Sequence, residues 1–191
     1  MTETPSAGKP VADPQDASGG VPVTEGCRVA VLGRGGALDR ALAVSIAGRD
    51  ASCVLVLPPG ASTAGLDPYD VEIKTSSPRD TDGLGRALAG ADVLVDATGL
   101  MLPRGERLAG PAGRERVRRL RGVLESARAA GVRVALLRGD AALFAGPDPE
   151  APVREHDMLP AVGYGRALAP VWGEIRTLCR EYGAVRIHPG R

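Results

Sequence analysis

Aromatic residues make up only 3% of this 191-residue chain: one Trp, three Tyr and one Phe. A core without aromatics has to be filled by Val, Leu and Ala, and a hydrophobic content of 43% supplies them. Lysine is nearly missing as well, with Lys9 and Lys74 the only two. Arginine carries the rest of the positive charge, and the chain is rich in Ala, Gly and Pro. This pattern matches the coding bias of a GC-rich genome, so a single arginine weighs less in a functional argument. A net charge of +1 leaves no electrostatic handle on nucleic acid. The three cysteines, Cys27, Cys53 and Cys179, have no metal-ligand spacing, and two of them sit in apolar strand contexts, so buried reduced thiols are expected and no metal. No run approaches the roughly 18 apolar residues of a membrane span. The N-terminus is polar and acidic, unlike a signal peptide. Together these absences predict a cytoplasmic protein with neither membrane nor nucleic-acid partners.

The most informative stretch is CRVAVLGRGGALDRALAV, residues 27–44. An apolar run, Val29 to Leu32, meets Gly33, Gly35 and Gly36, and a helical pattern follows. Glycines there let the backbone turn sharply and bring bare N–H groups close to a phosphate. The dinucleotide fingerprint wants glycines at its first, third and sixth positions. Gly33 and Gly35 fill the first two, and Leu38 takes the third. A wider spacing reads Gly33, Gly36 and then Asp39 in place of the last glycine. Asp39 is expected to oppose a pyrophosphate at this place. Gly33, Arg34, Gly35 and Gly36 are therefore the cofactor-binding candidates if a nucleotide binds at all.

Residues 1–25 show no periodicity and read as a disordered leader. From there to residue 191 strands and helices alternate. Strands are predicted over 28–32, 53–57, 71–74, 92–97, 132–137 and 184–187. Helices are predicted over 37–48, 81–89, 114–130 and 161–182, the last interrupted or kinked at Pro170. Uninterrupted apolar strands alternating with helices imply an α/β fold, a single domain with a doubly wound parallel sheet covered on both faces. Ligands then bind beyond the carboxyl ends of the strands. Two long segments, 99–113 and 139–163, fall on that edge.

Three further segments carry a resemblance. The run SPRDTDGLGRALAGADVLVDATG (77–99), the run VLESARAAGVRVALLRG (123–139) and the run YGRALAPVWGEIRTLCREYGAVRIHPG (164–190) resemble the nucleotide-binding half of the extended and atypical short-chain dehydrogenase/reductases, the epimerase/dehydratase-like branch. The resemblance implies a Rossmann-type domain over 26–191, lacking the family's C-terminal substrate domain. It also implies a catalytic Tyr-x-x-x-Lys pair, and here Tyr164 is followed by Leu168 at the lysine position. The family's serine after the fifth strand is replaced by Gly139-Asp140-Ala141-Ala142. The second strand ends in Leu57-Pro58-Pro59-Gly60, with neither the acid that would hold a ribose nor an arginine for a 2′-phosphate. Without the lysine ammonium, a phenol with a pKa of about 10 is a poor base at neutral pH.

These departures shape the functional expectation. It is a small enzyme that uses this scaffold for non-redox acid–base chemistry on an apolar small molecule: cyclisation, isomerisation or elimination, in the setting of bacterial natural-product biosynthesis. No cofactor is expected to be required, with NAD(P) binding weak at most. The alternatives are an NAD(P)H-dependent oxidoreductase with an unusual proton relay, and a catalytically inactive nucleotide-sensing or partner subunit. The catalytic candidates are Tyr164, Asp140, His156 and Asp96: a phenol, a carboxylate in the space of the missing serine, a loop imidazole, and a carboxylate ending an apolar strand. Each has a plain structural counterpart, for Asp96 a carboxylate satisfied by nearby backbone N–H groups. Met101, Leu102, Phe144 and Met158 are candidates to line the substrate pocket. The arginine run from Arg114 to Arg121 reads as a solvated helix face. The helices over 114–130 and 161–182 are expected to pair two copies into a homodimer, shielding Leu120 and Trp172.

Overall fold

The computed structural model describes residues 26–49, 51–77, 79–98, 111–138 and 164–187. Ten elements follow in order: β1 (Arg28–Leu32), α1 (Ala37–Ala47), β2 (Ser52–Leu57), β3 (Val71–Thr75), α2 (Thr81–Leu88), β4 (Val93–Asp96), α3 (Pro111–Ala129), β5 (Val134–Arg138), α4 (Tyr164–Tyr182) and β6 (Val185–Ile187). The strands form one six-stranded sheet in the order β3-β2-β1-β4-β5-β6, and every neighbouring pair is parallel. The chain winds outward from β1 to β3, returns to lay β4 beside β1, and winds outward again to β6. This is the doubly wound α/β sheet expected from the alternating pattern.

The register explains why the central strands are apolar throughout. Ala30 and Leu32 of β1 pack with Val54 and Val56 of β2 and Leu94 of β4 against Leu84 and Leu88 of α2 and Val123 of α3. Val31 points to the other face, where it meets Cys53, Leu55, Leu57 and Ala43 of α1. With both faces covered, every position of β1 and β2 after the first is buried. β3 is an edge strand and reads differently: Glu72 and Ile73 are exposed and Lys74 is half-buried.

Helix boundaries follow local chemistry. α2 is capped by Asp80, whose carboxylate accepts the Gly83 amide at 2.9 Å. α3 begins three residues before the predicted start, with Pro111 as its first residue, a place where a missing N–H costs nothing. α4 runs as one helix from Tyr164 to Tyr182, so Pro170 does not interrupt it.

Two further expectations meet the structure here. Leu120 is 2% exposed because it packs inside the monomer, with Val171, Ile175 and Leu178 of α4. It is core, and a partner copy has nothing of it left to shield. The three cysteines are buried, and burial pushes the Cys53 thiol up to about 11, which keeps it protonated and inert. Among the described residues no helix is long and apolar enough to cross a membrane, and no group of His, Cys, Asp or Glu could hold a metal ion.

Candidate functional site

The winding of the chain reverses between β1 and β4, and the crevice at such a switch point is where ligands of doubly wound sheets bind. The segment leaving β1 is Gly33-Arg34-Gly35-Gly36. Its start is fixed by the ladder, since the Gly33 amide donates to the Val56 carbonyl at 3.0 Å. Gly35 has φ +83, and a Cβ there would come within 3.1 Å of the Ala61 Cβ and 3.3 Å of the Ser62 nitrogen. A left-handed residue in close contact with the segment after β2 has to be glycine. Gly36 is the N-cap of α1.

Asp39 is the third residue of α1, and its carboxylate turns back into the loop. One oxygen, Oδ2, accepts the Arg34 amide at 2.6 Å and the Gly36 amide at 2.9 Å. The residue is 4% exposed. Its carboxyl group lies against Gly33, where a Cβ would sit 2.6 Å from the Asp39 carboxyl carbon. The expectation that this charge faces a pyrophosphate is therefore corrected. The charge is turned under the loop and satisfied by two amides, the acidic half of a capping box. Ala37 and Leu38, the first two residues of α1, are exposed, and N–H groups at that point of a helix have no carbonyl of their own turn to bond. An anion approaching the helix end meets these amides.

The segment leaving β4 lies across the crevice. Asp96 stands opposite Leu32 in the register and is 4% exposed. Its Oδ1 accepts the Thr98 amide at 3.0 Å and the Thr98 hydroxyl. That hydroxyl oxygen in turn accepts Arg119 Nη1 at 2.8 Å. Arg119 belongs to the run expected to be a solvated face. Arg114 and Arg118 are exposed as expected, whereas Arg116 and Arg119 are half-buried. Arg119 is the polar group that sequence reading missed, because five of the eight residues from Arg114 to Arg121 are arginine and nothing marks one that reaches inward. At the end of β5, the Nε of Arg138 is buried and has no hydrogen-bond partner among the described residues.

After β2, Leu57 is buried and Pro58, Pro59 and Gly60 follow, so no carboxylate stands at the tip of this strand. Tyr164 opens α4, and Leu168 lies one turn further along the same helix. Asp140, His156, Met101, Leu102, Phe144 and Met158 lie outside the described residues. The structure thus brings together Gly33–Gly36, Asp39, Asp96, Thr98 and Arg119 at the β1–β4 crevice.

No protein-family model matches the sequence, and no curated protein sequence matches it. Solved structures do match in fold. A nucleoside-diphosphate-sugar epimerase from Pseudomonas aeruginosa superposes with a TM-score of 0.64 at 23% identity, over 86% of this chain and 52% of that one. UDP-glucose 4-epimerase from Brucella ovis, solved in complex with NAD, superposes with a TM-score of 0.63 at 16% identity, over 85% of this chain and 50% of that one. Uronate dehydrogenase from Agrobacterium tumefaciens gives 0.56 at 20% identity, over 84% of this chain and 58% of that one. The chain spans between half and three-fifths of the length of these proteins. Its fold, a doubly wound parallel α/β sheet, is shared with these epimerase and dehydrogenase structures, as the resemblance implied. The expectation that no cofactor is required does not stand. The fold is shared with a protein solved with NAD bound, and the Asp39 charge on which that expectation rested is turned inward.

Proposed function

We propose that this chain is the coenzyme-binding domain of an NAD(P)-dependent enzyme on the short-chain dehydrogenase/reductase scaffold. One observation carries the reading: a glycine loop at the sheet's switch point whose only acidic side chain is folded beneath it, leaving the first amides of α1 exposed. The turn Gly33-Arg34-Gly35-Gly36 gives the pyrophosphate room beside the helix end, and the amides of Ala37 and Leu38 hold it. The coenzyme supplies hydride transfer, while the chain's own residues bind and orient it. Nothing acidic follows Leu57 to reward a bare 2′-hydroxyl, and Arg34 is exposed on the facing loop, so NADPH should bind at least as tightly as NADH.

A second reading rests on Leu168. An apolar side chain one helical turn after Tyr164 cannot lower the phenol's pKa as an ammonium would. Acid–base chemistry without net redox, with Tyr164 as proton donor and Asp140 or His156 as partner, accommodates that substitution. Pairing of two copies through α3 and α4 belongs to either reading.

Calorimetric titration of the full chain with NADH and NADPH tests the coenzyme claim. A dissociation constant on the order of micromolar to tens of micromolar is expected. Absence of binding at millimolar coenzyme overturns the claim. Once a substrate is in hand, consumption of the reduced nicotinamide favours redox chemistry, and turnover with the coenzyme unchanged favours the second reading.

A further inference from the structure

We propose that Asp39 positions the β1–α1 loop for the coenzyme, acting as a carboxylate clasp in the place where the wider spacing, Gly33 then Gly36, would have its last glycine. The inference rests on the coenzyme reading above and assigns one residue of that site a role opposite to the one its charge suggests.

Three observations lead to it. A single oxygen of Asp39 accepts two amides of the loop, at 2.6 and 2.9 Å, so Arg34 and Gly36 are tied to one point. The side chain is 4% exposed, so the carboxylate is turned under the loop and away from solvent. And the space it fills exists only because Gly33 has no Cβ, whose carbon would lie 2.6 and 2.8 Å from the carboxyl carbon and Cβ of Asp39. A last glycine in such loops lets helix and strand pack closely. In the wider spacing that position is Asp39, whose side chain finds its room over the first glycine instead. Gly33 and Asp39 are thus one device split between two positions of the sequence.

The consequence for binding follows from preorganisation. A four-residue segment holding three glycines is costly to order when a ligand arrives. The clasp orders it beforehand, with Gly35 held at φ +83 between the two anchored amides. It also takes up two amides that would otherwise compete for the phosphate in alternative loop shapes, and it leaves those of Ala37 and Leu38. A carboxylate in the first turn further suits the positive end of the helix.

The test compares the wild-type chain with Asp39→Gly, which completes the wider glycine spacing and removes the clasp, and Asp39→Asn, which keeps a side-chain oxygen acceptor and removes the charge. NADPH affinity and amide hydrogen exchange at Arg34 and Gly36 are read at a temperature where circular dichroism shows all three folded; if Asp39→Gly does not fold, Asp39→Ala replaces it. Asp39→Gly is expected to bind about tenfold more weakly and to exchange both amides faster. Asp39→Asn is expected to stay within a few-fold of wild type and keep the protection. If Asp39→Gly binds as tightly as wild type or tighter, or if its amides stay protected, the clasp is overturned while the coenzyme reading stands. If the wild-type chain binds no coenzyme, the functional reading falls and this role with it.

Discussion

Gly33 and Asp39 constrain each other, and that can be measured without any ligand. A methyl group at Gly33 has to displace a buried carboxyl group that already holds two amides. Gly33→Ala is expected to cost about 1–3 kcal/mol, the usual range for overpacking a filled site. Asp39→Gly loses the hydrogen bonds and adds a glycine to a helix, so it is also destabilising. The double variant removes the clash along with the clasp and should therefore be more stable than the sum of the two single changes predicts. Denaturant midpoints of the four proteins give the coupling. Additive effects would show that the two side-chain positions do not share the space assigned to them. Asp96 illustrates the opposite case at the same scale. Its oxygen is held by Thr98, and Thr98 by Arg119, so that group is fixed to its own strand end.

At the scale of elements, the alternation of apolar strands and amphipathic helices was legible because both faces of the sheet are covered. β1 falls on residues 28–32 as predicted, and β2 needs only Ser52 added at its start. α3 begins at Pro111, earlier than its apolar stripe, because a first turn is set by backbone chemistry and Leu120 does not enter until its third turn. The site was less legible for the same kind of reason. Whether an acidic residue in a first turn faces out or folds back depends on the room left by a glycine six positions earlier, a fact of space and not of periodicity. The inward reach of Arg119 likewise depends on where Thr98 ends up. Leu120 shows what the element packing is worth. It lies 2% exposed between α3 and α4, against Val171, Ile175 and Leu178. Leu120→Ala is expected to cost about 2–5 kcal/mol in chemical denaturation. A loss below about 1 kcal/mol would mean that α4 does not pack as described.

Across the whole molecule, the two edges of the sheet do different work. The carboxyl edge carries the glycine loop and the polar groups of the crevice. The amino edge carries charges that tie the strand starts together. Asp92 precedes β4, where its carboxylate accepts the Arg28 amide at 2.9 Å and Arg133 Nη2 at 2.7 Å, joining the starts of β1 and β5. Arg28 reaches Glu72 of β3, and Lys74 lies 3.4 Å from the same carboxylate. The backbone hydrogen bond from Arg28, reinforced by Arg133, holds the Asp92 carboxyl below its ordinary value despite some desolvation. For Glu72 desolvation pushes upward, but the hydrogen bond and charge of Arg28, with Lys74, outweigh it and the net shift is downward. A carboxylate whose pKa is lower in the folded chain stabilises that chain at any pH above its unfolded value, about 3.9 for Asp and 4.3 for Glu. The contribution fades as pH falls through that value and is gone below the folded one. Melting temperature should therefore be steady above about pH 5 and fall below about pH 4, and Asp92→Asn should flatten that fall. β4 is four residues long, so at about 3.3 Å per residue Asp92 lies roughly 13 Å from the crevice end of the strand. Asp92→Asn should accordingly leave NADPH affinity at neutral pH unchanged. If affinity moves as much as acid stability does, the two edges are not independent and the division of work described here is wrong.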